Sequence, residues 1–442
     1  LPSAFATPLN RLVLSERKTL RFLTLFIFYL NQGVGIGFFG FVIPTWLTVN
    51  GVSAGQIATV VSLSTLPWSL KFVSGFLVDR YTFLPMGRRR IWIVGAQIAL
   101  VAMLILAAIL SPLPDEIVLL TALGFAVNLA VVTQDVGVDA LAIDIMQQDE
   151  RPIAAGVMFG AQTIGVAITV GLSGWLLNSY GFTIAVASLV LLPTATILFG
   201  LAITEREGER NLPWSKGLAH PINVNVQVKN WRTLLTGSFR AMLLTASLML
   251  IPLLLVKSIN GGVSSVFGPK LFTGHAGWSM TSFTNFVALM MVLIAIYTVL
   301  FAGKIVQSFG ERKVIAITTG SACILALWFG SLPSLWTESW FLLSFVILSE
   351  TLAITAFVAI IPICMRLCNP AVAGTQFVIY MSIANLGTPI GAYLVSLTAG
   401  KGHEQALFWI ISVLFACGCA WALFAKSIYQ VDGTQESSNQ LL

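Results

Sequence analysis

The chain has 442 residues, of which 57% are hydrophobic and 10% charged, and its mean hydropathy is +0.89. That composition excludes a soluble enzyme or binding module, because so much apolar surface calls for lipid rather than water as solvent. The net charge of +6 would suit nucleic acid, but the basic residues stand in short clusters between apolar runs, which excludes that partner and marks a bilayer.

In chain order, apolar runs of the roughly 20 residues that a span requires begin near residues 22, 55, 91, 117, 152, 182, 239, 278, 314, 339, 371 and 405. They predict an all-α membrane protein of about twelve transmembrane helices. Residues 1–21 form an N-terminal cytoplasmic segment, and 22–203 a first six-helix bundle. Residues 204–236 read as a polar loop hinging the halves, 237–426 as a second six-helix bundle and 427–442 as a tail. No signal-peptide pattern stands at the start, so the first span is expected to act as the targeting signal.

Basic residues mark one side of the membrane. Arg11, Arg17, Lys18 and Arg21 precede the first run, Arg80 and Arg88 to Arg90 follow the second, and Arg206 to Arg240 fill the central loop. Lys304, Arg312, Lys313, Arg366 and Lys426 continue the series, whereas Asn50 to Gly55, Ser111 to Glu116 and Asn178 to Phe182 carry almost no positive charge. By the positive-inside rule both termini are cytoplasmic, which requires an even number of spans.

The halves repeat. Gly75 to Asp79 before Gly87-Arg88-Arg89 recurs as Gly303 to Gln307 before Gly310-Glu311-Arg312-Lys313. Gln32 and Pro44 match Lys257 and Pro269 at one offset, and Ala155-Gly156 matches Ala373-Gly374. Parallel repeats of this kind are a transporter plan, with the solute near the bilayer midplane between the halves.

Gly75-Phe-Leu-Val-Asp79-Arg80, followed by Gly87-Arg-Arg-Arg90, resembles the loop signature of the major facilitator superfamily, with Tyr-Thr-Phe-Leu-Pro-Met inserted before the second glycine. Three further stretches resemble its peptide and acetyl-coenzyme A transporter family. They are Pro67-Trp-Ser-Leu-Lys71-Phe, Thr133-Gln-Asp135-Val-Gly-Val-Asp139-Ala, and Asn369-Pro-Ala-Val-Ala-Gly-Thr375-Gln376 through Ala384-Asn385-Leu-Gly387. That family includes AmpG-type muropeptide permeases, the endoplasmic-reticulum acetyl-coenzyme A transporter and some siderophore permeases. The resemblance runs from Gln32 to about Leu394 and implies a twelve-helix fold alternating between inward- and outward-open states. Two departures separate the chain from the muropeptide branch. Its two extra spans are absent, and Asp139-Ala-Leu-Ala-Ile-Asp144 lacks the aromatic and lysine common there.

An ionisable side chain at membrane depth costs roughly 2.5 to 3.5 kcal/mol, so each needs a partner, water or a purpose. Lys71, Asp135, Asp139, Lys257 and Glu350 are placed so. Asn128, Asp135 and Asp139 fall at i, i+7 and i+11 on one helical stripe, with Val132 in the intervening turn. Asp135, Asp139 and Glu350 are the expected proton-coupling acids, each weighed against simple interhelical bonding. A Lys71 pairing with Asp135 or Asp139 would let solute compete for the lysine and free the acid to take a proton. Gln32, Lys71, Lys257, Asn128, Gln376 and Asn385 are the expected solute-binding residues, and the lysines favour an anionic solute. Asp79, Arg80, Arg88 and Arg89 read as a cytoplasmic latch and topology signal rather than a solute contact.

No enzyme constellation is present. His220, His275 and His403 fall in loops, no phosphate-cradling glycine loop occurs, and the five cysteines (Cys323, Cys364, Cys368, Cys417, Cys419) lie in or beside apolar runs as small hydrophobes. The expectation is a monomeric secondary active transporter of the cell inner membrane, without cofactor or metal, taking an anionic or peptide-like solute with protons. The alternatives are an acetyl-coenzyme A or muropeptide permease, and a non-transporting assembly factor or receptor on the same fold.

Overall fold

The computed structural model describes residues 12–425 except 44–45, 48–49, 53, 228–229, 279, 370–371 and 399–402. The first apolar run forms α1 (Lys18–Leu30) and α2 (Gln32–Gly37), continued by a π-helical turn over Phe38–Val42. The second is divided: α3 (Ala54–Ser69), with Pro67 inside it, yields at Leu70 to α4 (Lys71–Arg80). The break puts Lys71 at the opening of a helix. Long unbroken runs then give α5 (Arg90–Leu110), α6 (Ile117–Ile145) and α7 (Arg151–Tyr180), followed by the pair α8 (Phe182–Leu189) and α9 (Leu191–Ala202).

Beyond the central connection come α10 (Pro221–Val226), α11 (Trp231–Leu243) and α12 (Thr245–Lys270). After them α13 (Met280–Tyr297) runs through a π-helical turn, Thr298–Ala302, into α14 (Gly303–Phe309). The chain finishes with α15 (Glu311–Ser331), α16 (Ser339–Leu367), α17 (Ala373–Leu397) and α18 (Glu404–Phe424). Each apolar run is thus helical, which is how a chain satisfies its own backbone in hydrocarbon. Among the described residues nine helices are long and apolar enough to cross a membrane, or ten if the bent pair α11 and α12 counts as one span. The other two stretches are α3 with α4, where the break and three charges dilute the run, and α17.

The seventh span, expected from about 239, starts at Thr245, because the apolar pattern continues through Leu243 and Leu244 while the backbone bends there by 72°. The central loop, expected as the hinge between the halves, is folded and docked. β1 (Leu12–Val13) pairs in parallel with β2 (Ile203–Thr204). The Glu205 carboxylate then accepts the backbone N–H groups of Arg88, Arg89 and Arg90 at 2.8, 2.7 and 2.6 Å. These are unpaired donors at the start of α5, where the helix dipole favours an anion. Gly87 leads into them at φ +98, and a Cβ there would lie 2.5 Å from Glu205 Cδ. The Arg90 guanidinium answers with bonds to the carbonyls of Ile203, Arg210 and Asn211.

Glu209 completes the docked loop, accepting from the backbone of Glu205 and Arg206 and from Asn223 Nδ2. Burial and the neighbouring Glu205 charge outweigh those bonds and push its pKa up to about 8 from an ordinary 4.5. A raised carboxyl pKa adds stability that is whole below pH 4.5 and is lost as pH climbs through about 8. Amide exchange over residues 203–211, corrected for intrinsic rates, should therefore speed up across that window. Glu209→Gln should flatten the dependence.

Three larger cores organise the helices. One draws only on residues from Val34 to Leu189 and another only on residues from Ile259 to Ile411. The third mixes both halves, joining Leu25 and Met158 to Leu254, Ile360 and Phe377. The halves therefore touch at the end that carries the basic clusters and keep separate cores toward the other. Close backbone contacts support the joint: a Cβ at Gly156 would stand 2.9 Å from the Thr298 carbonyl, and one at Gly303 would stand 2.7 Å from Ile153 Cα. Within each half, Gly33 against Gly165 and Gly391 against Ile259 approach closer still, the small-residue contact that lets membrane helices pack backbone to backbone.

Candidate functional site

Three of the expected ionisable residues meet inside the first half. Lys71 Nζ lies 3.1 Å from Asp135 Oδ2 and 3.7 Å from Asp139 Oδ2, and all three side chains are buried. The break at Leu70 brings the lysine to this depth, and the i, i+4 spacing on α6 presents both carboxylates to it. Gln32 Nε2 donates to Asp135 Oδ1 at 2.7 Å, and the Tyr29 hydroxyl donates to Asp139 Oδ1. Gln162 on α7 donates to Gln32 Oε1. Asn128, two turns along α6, accepts from the Trp68 indole at 2.9 Å and donates to the Gly124 carbonyl at 2.9 Å.

Lys71 is thus one ammonium between two carboxylates. Desolvation of an unmatched charge is severe at this depth, and the trio reaches neutrality with one added proton. Tyr29 extends the cluster toward the joint between the halves: its ring packs edge-on to Phe159 at 5.8 Å, and Phe159 meets Phe357 of α16 at 4.4 Å.

The residues expected as a latch form a second, separate cluster at the basic end. Arg89 bonds Asp79 Oδ1 at 2.6 Å and Asp144 Oδ2 at 2.8 Å, and Arg88 lies 3.8 Å from each acid. Asp79 Oδ2 accepts the Thr375 N–H at 2.7 Å, so an acid of the first half caps the first turn of α17 in the second. Arg80 lies over the Tyr81 ring, and its carbonyl and that of Asp79 accept from Gln227. In the other half the charges are exchanged: Glu311 at the start of α15 holds Arg366 at the end of α16, at 2.6 Å.

The remaining expected site residues are not gathered with the lysine. Gln376 is buried at the α16–α17 turn, accepting from the Asn369 N–H and donating to the Leu367 carbonyl and the Tyr380 hydroxyl. Its amide ties that turn. Asn385 is exposed on α17, and Glu350 is half-buried midway along α16. Lys257 belongs to α12, with its side chain outside the described residues. A small cavity of about 30 Å³ between α12, α15, α16 and α18 is lined largely by apolar side chains and shares no residue with either cluster. Among the described residues no group of three or more His, Cys, Asp or Glu side chains is placed to hold a metal.

Sequence reasoning passed over Tyr29, Trp68, Gln162 and the Glu205 clasp. Tyr29 had a signal in its spacing, three residues before Gln32 on one helical face.

Nine or ten apolar helices long enough to cross a membrane among the described residues, with a buried charge cluster in one half and a second charged cluster that reaches across to the other, define an all-α membrane transporter fold. The model of the Major Facilitator Superfamily matches residues 22–392, and the chain belongs to that superfamily. It is a secondary transporter of small-molecule solutes. The chain is similar to the anhydromuropeptide permease of Escherichia coli, 28% identical over 138 residues that cover 31% of this chain and 28% of the permease. It is similar to the folate-biopterin transporter of a Synechocystis species, 24% identical over 397 residues covering 86% of this chain and 76% of that one. Among solved structures, the proton:xylose symporter XylE superposes with a TM-score of 0.71 at 12% identity over 90% of this chain and 94% of its own.

Proposed function

We propose that the protein is a proton-coupled symporter for an anionic, peptide-like solute, working as a monomer in the cell inner membrane with both termini in the cytoplasm. Residues 22–203 and 237–426 are its two moving bodies. The observation that carries the reading is Lys71 held between Asp135 and Asp139, 3.1 and 3.7 Å away. A solute carboxylate that takes the lysine adds one negative charge to the cluster, and one further proton on the buried acids offsets it. Binding of the two ligands is then linked through one ion pair, and each raises the affinity for the other. Gln32 and Asn128 offer amides beside the lysine, and Lys257 adds a second cation by its position on α12. Glu350 supplies an acid in the second half. With the basic end cytoplasmic, the joint there closes the inner side and the arrangement is outward-facing.

Anhydromuropeptides and folates carry carboxylates, so the names of the two relatives fit an anionic solute. The test is internal pH in proteoliposomes of the purified protein, on outside addition of an anhydromuropeptide, acetyl-coenzyme A, a ferric siderophore or a folate. Acidification with one of them is expected. Accumulation of a radiolabelled solute without any pH change would overturn proton coupling.

A further inference from the structure

Helix α11 presents three different faces. Leu234, Gly237, Ser238 and Ala241 are buried. Leu234 packs with Val372 beside the start of α17 and with Phe76 of α4, and the Trp231 indole donates to the Tyr81 hydroxyl at 3.3 Å. The second face, Trp231, Leu235, Phe239 and Leu243 at four-residue spacing, is exposed, Phe239 to 66% and Leu243 to 53%. The third carries Arg232, Thr236 and Arg240, also exposed.

The 72° bend at Leu244 sets the direction of this helix. With the 26-residue α12 as the crossing member of the bent pair, α11 runs nearer to the membrane plane than to its normal, at the basic end. Its apolar stripe continues without a gap through Leu244 to Leu248, exposed on the flank of the spanning helix. That continuity and the flanking arginines identify what covers the stripe.

We propose that α11 is an in-plane anchor, with its apolar face sunk into the leaflet at the basic end and Arg232 and Arg240 holding anionic phospholipid headgroups. Helices of this kind lie with the apolar side roughly 5–10 Å into the headgroup and acyl boundary. Trp231 at one end suits the headgroup level, where tryptophan is enriched. Because the buried face grips both α4 and the start of α17, the anchor binds the leaflet to the joint between the halves. The inference is independent of the solute and of proton coupling.

Nitroxide labels at 235, 239 and 243, and at 236 as the control, placed singly in a cysteine-free background and in nanodiscs, test it. Collisions with oxygen should be high and with a water-soluble nickel chelate low at the first three, and the reverse at 236. Nickel access at all four would overturn the anchor, as would exclusion of both reagents, which would mean that protein covers the stripe. In discs mixing anionic and zwitterionic lipid, Arg232→Gln and Arg240→Gln should each weaken the preference for anionic lipid near the labels, by roughly fivefold per arginine. An unchanged preference in the double variant would overturn the headgroup assignment.

Discussion

Asp135→Asn should abolish uphill solute accumulation while leaving solute binding and solute exchange intact. In the wild-type cluster one ammonium faces two carboxylates at 3.1 and 3.7 Å, so neutrality depends on a mobile proton. Asparagine keeps an acceptor for Lys71 and for Gln32, whose donor reaches Asp135 Oδ1 at 2.7 Å, but removes the charge. Lys71 and Asp139 then balance each other until solute takes the lysine, and the proton that Asp135, the acid nearer the lysine at 3.1 Å, takes in the wild type has lost its carrier. One pH unit is worth about 1.4 kcal/mol per proton, a tenfold accumulation. Wild-type vesicles should therefore concentrate solute about tenfold per pH unit, and the variant should stop at equal concentrations. Tracer uptake and counterflow in the same vesicles separate the two quantities, and a variant that still concentrates solute would remove Asp135 from the coupling. Lys71→Gln provides the converse: two buried acids lose their shared cation, and Lys71→Gln with Asp135→Asn should recover folded protein but not accumulation.

Asp79→Ala should open the basic end. The carboxylate makes two kinds of contact, an intrahalf pair with Arg89 at 2.6 Å and an interhalf bond from the Thr375 N–H at 2.7 Å. Breaking a buried ion pair costs roughly 3–5 kcal/mol, but that loss falls on every state that keeps Asp79 beside Arg89. The Thr375 bond exists only while the halves are joined there. A hydrogen bond to a charged group contributes about 1.5–3 kcal/mol, so the closed arrangement should lose roughly a 10- to 150-fold advantage. Spin-label distances across the basic end should lengthen, and uptake should fall as the outward-facing population drains. Asp79→Asn retains an acceptor for Thr375 and should shift the distances less than alanine does. Unchanged distances in Asp79→Ala would show that the glycine contacts and the Phe159–Phe357 pair hold the joint without the latch.

Legibility in the sequence followed cost. Each apolar run is helical because the penalty for unpaired backbone in lipid leaves few other solutions, and hydropathy reports that penalty directly. Lys71, Asp135 and Asp139 stood out because charge at such depth demands a partner, and the structure supplies it. Tyr29 and Gln162 serve the same cluster but are neutral, so they leave no comparable mark in an apolar helix. Gln376, a polar residue in a family-like stretch expected at the solute, lies in the first turn of α17 and bonds the Leu367 carbonyl, the Tyr380 hydroxyl and the Asn369 N–H, contacts that its place in the sequence does not announce. The Glu205 clasp was invisible because its partners are backbone N–H groups after Gly87, which no residue pattern advertises. The bend at Leu244 was hidden for a related reason: apolar residues suit a helix lying along the surface as well as one that crosses.

The pairing of β1 with β2 sets a clock on biosynthesis. Leu12 and Val13 emerge early, but their partners Ile203 and Thr204 follow roughly 190 residues later. At about 5–20 residues per second the amino-terminal strand waits on the order of 10–40 s before it can be closed into place. The strand pairs only when the exit from the sixth pass arrives, so this short ladder forms as a late seal on the first half.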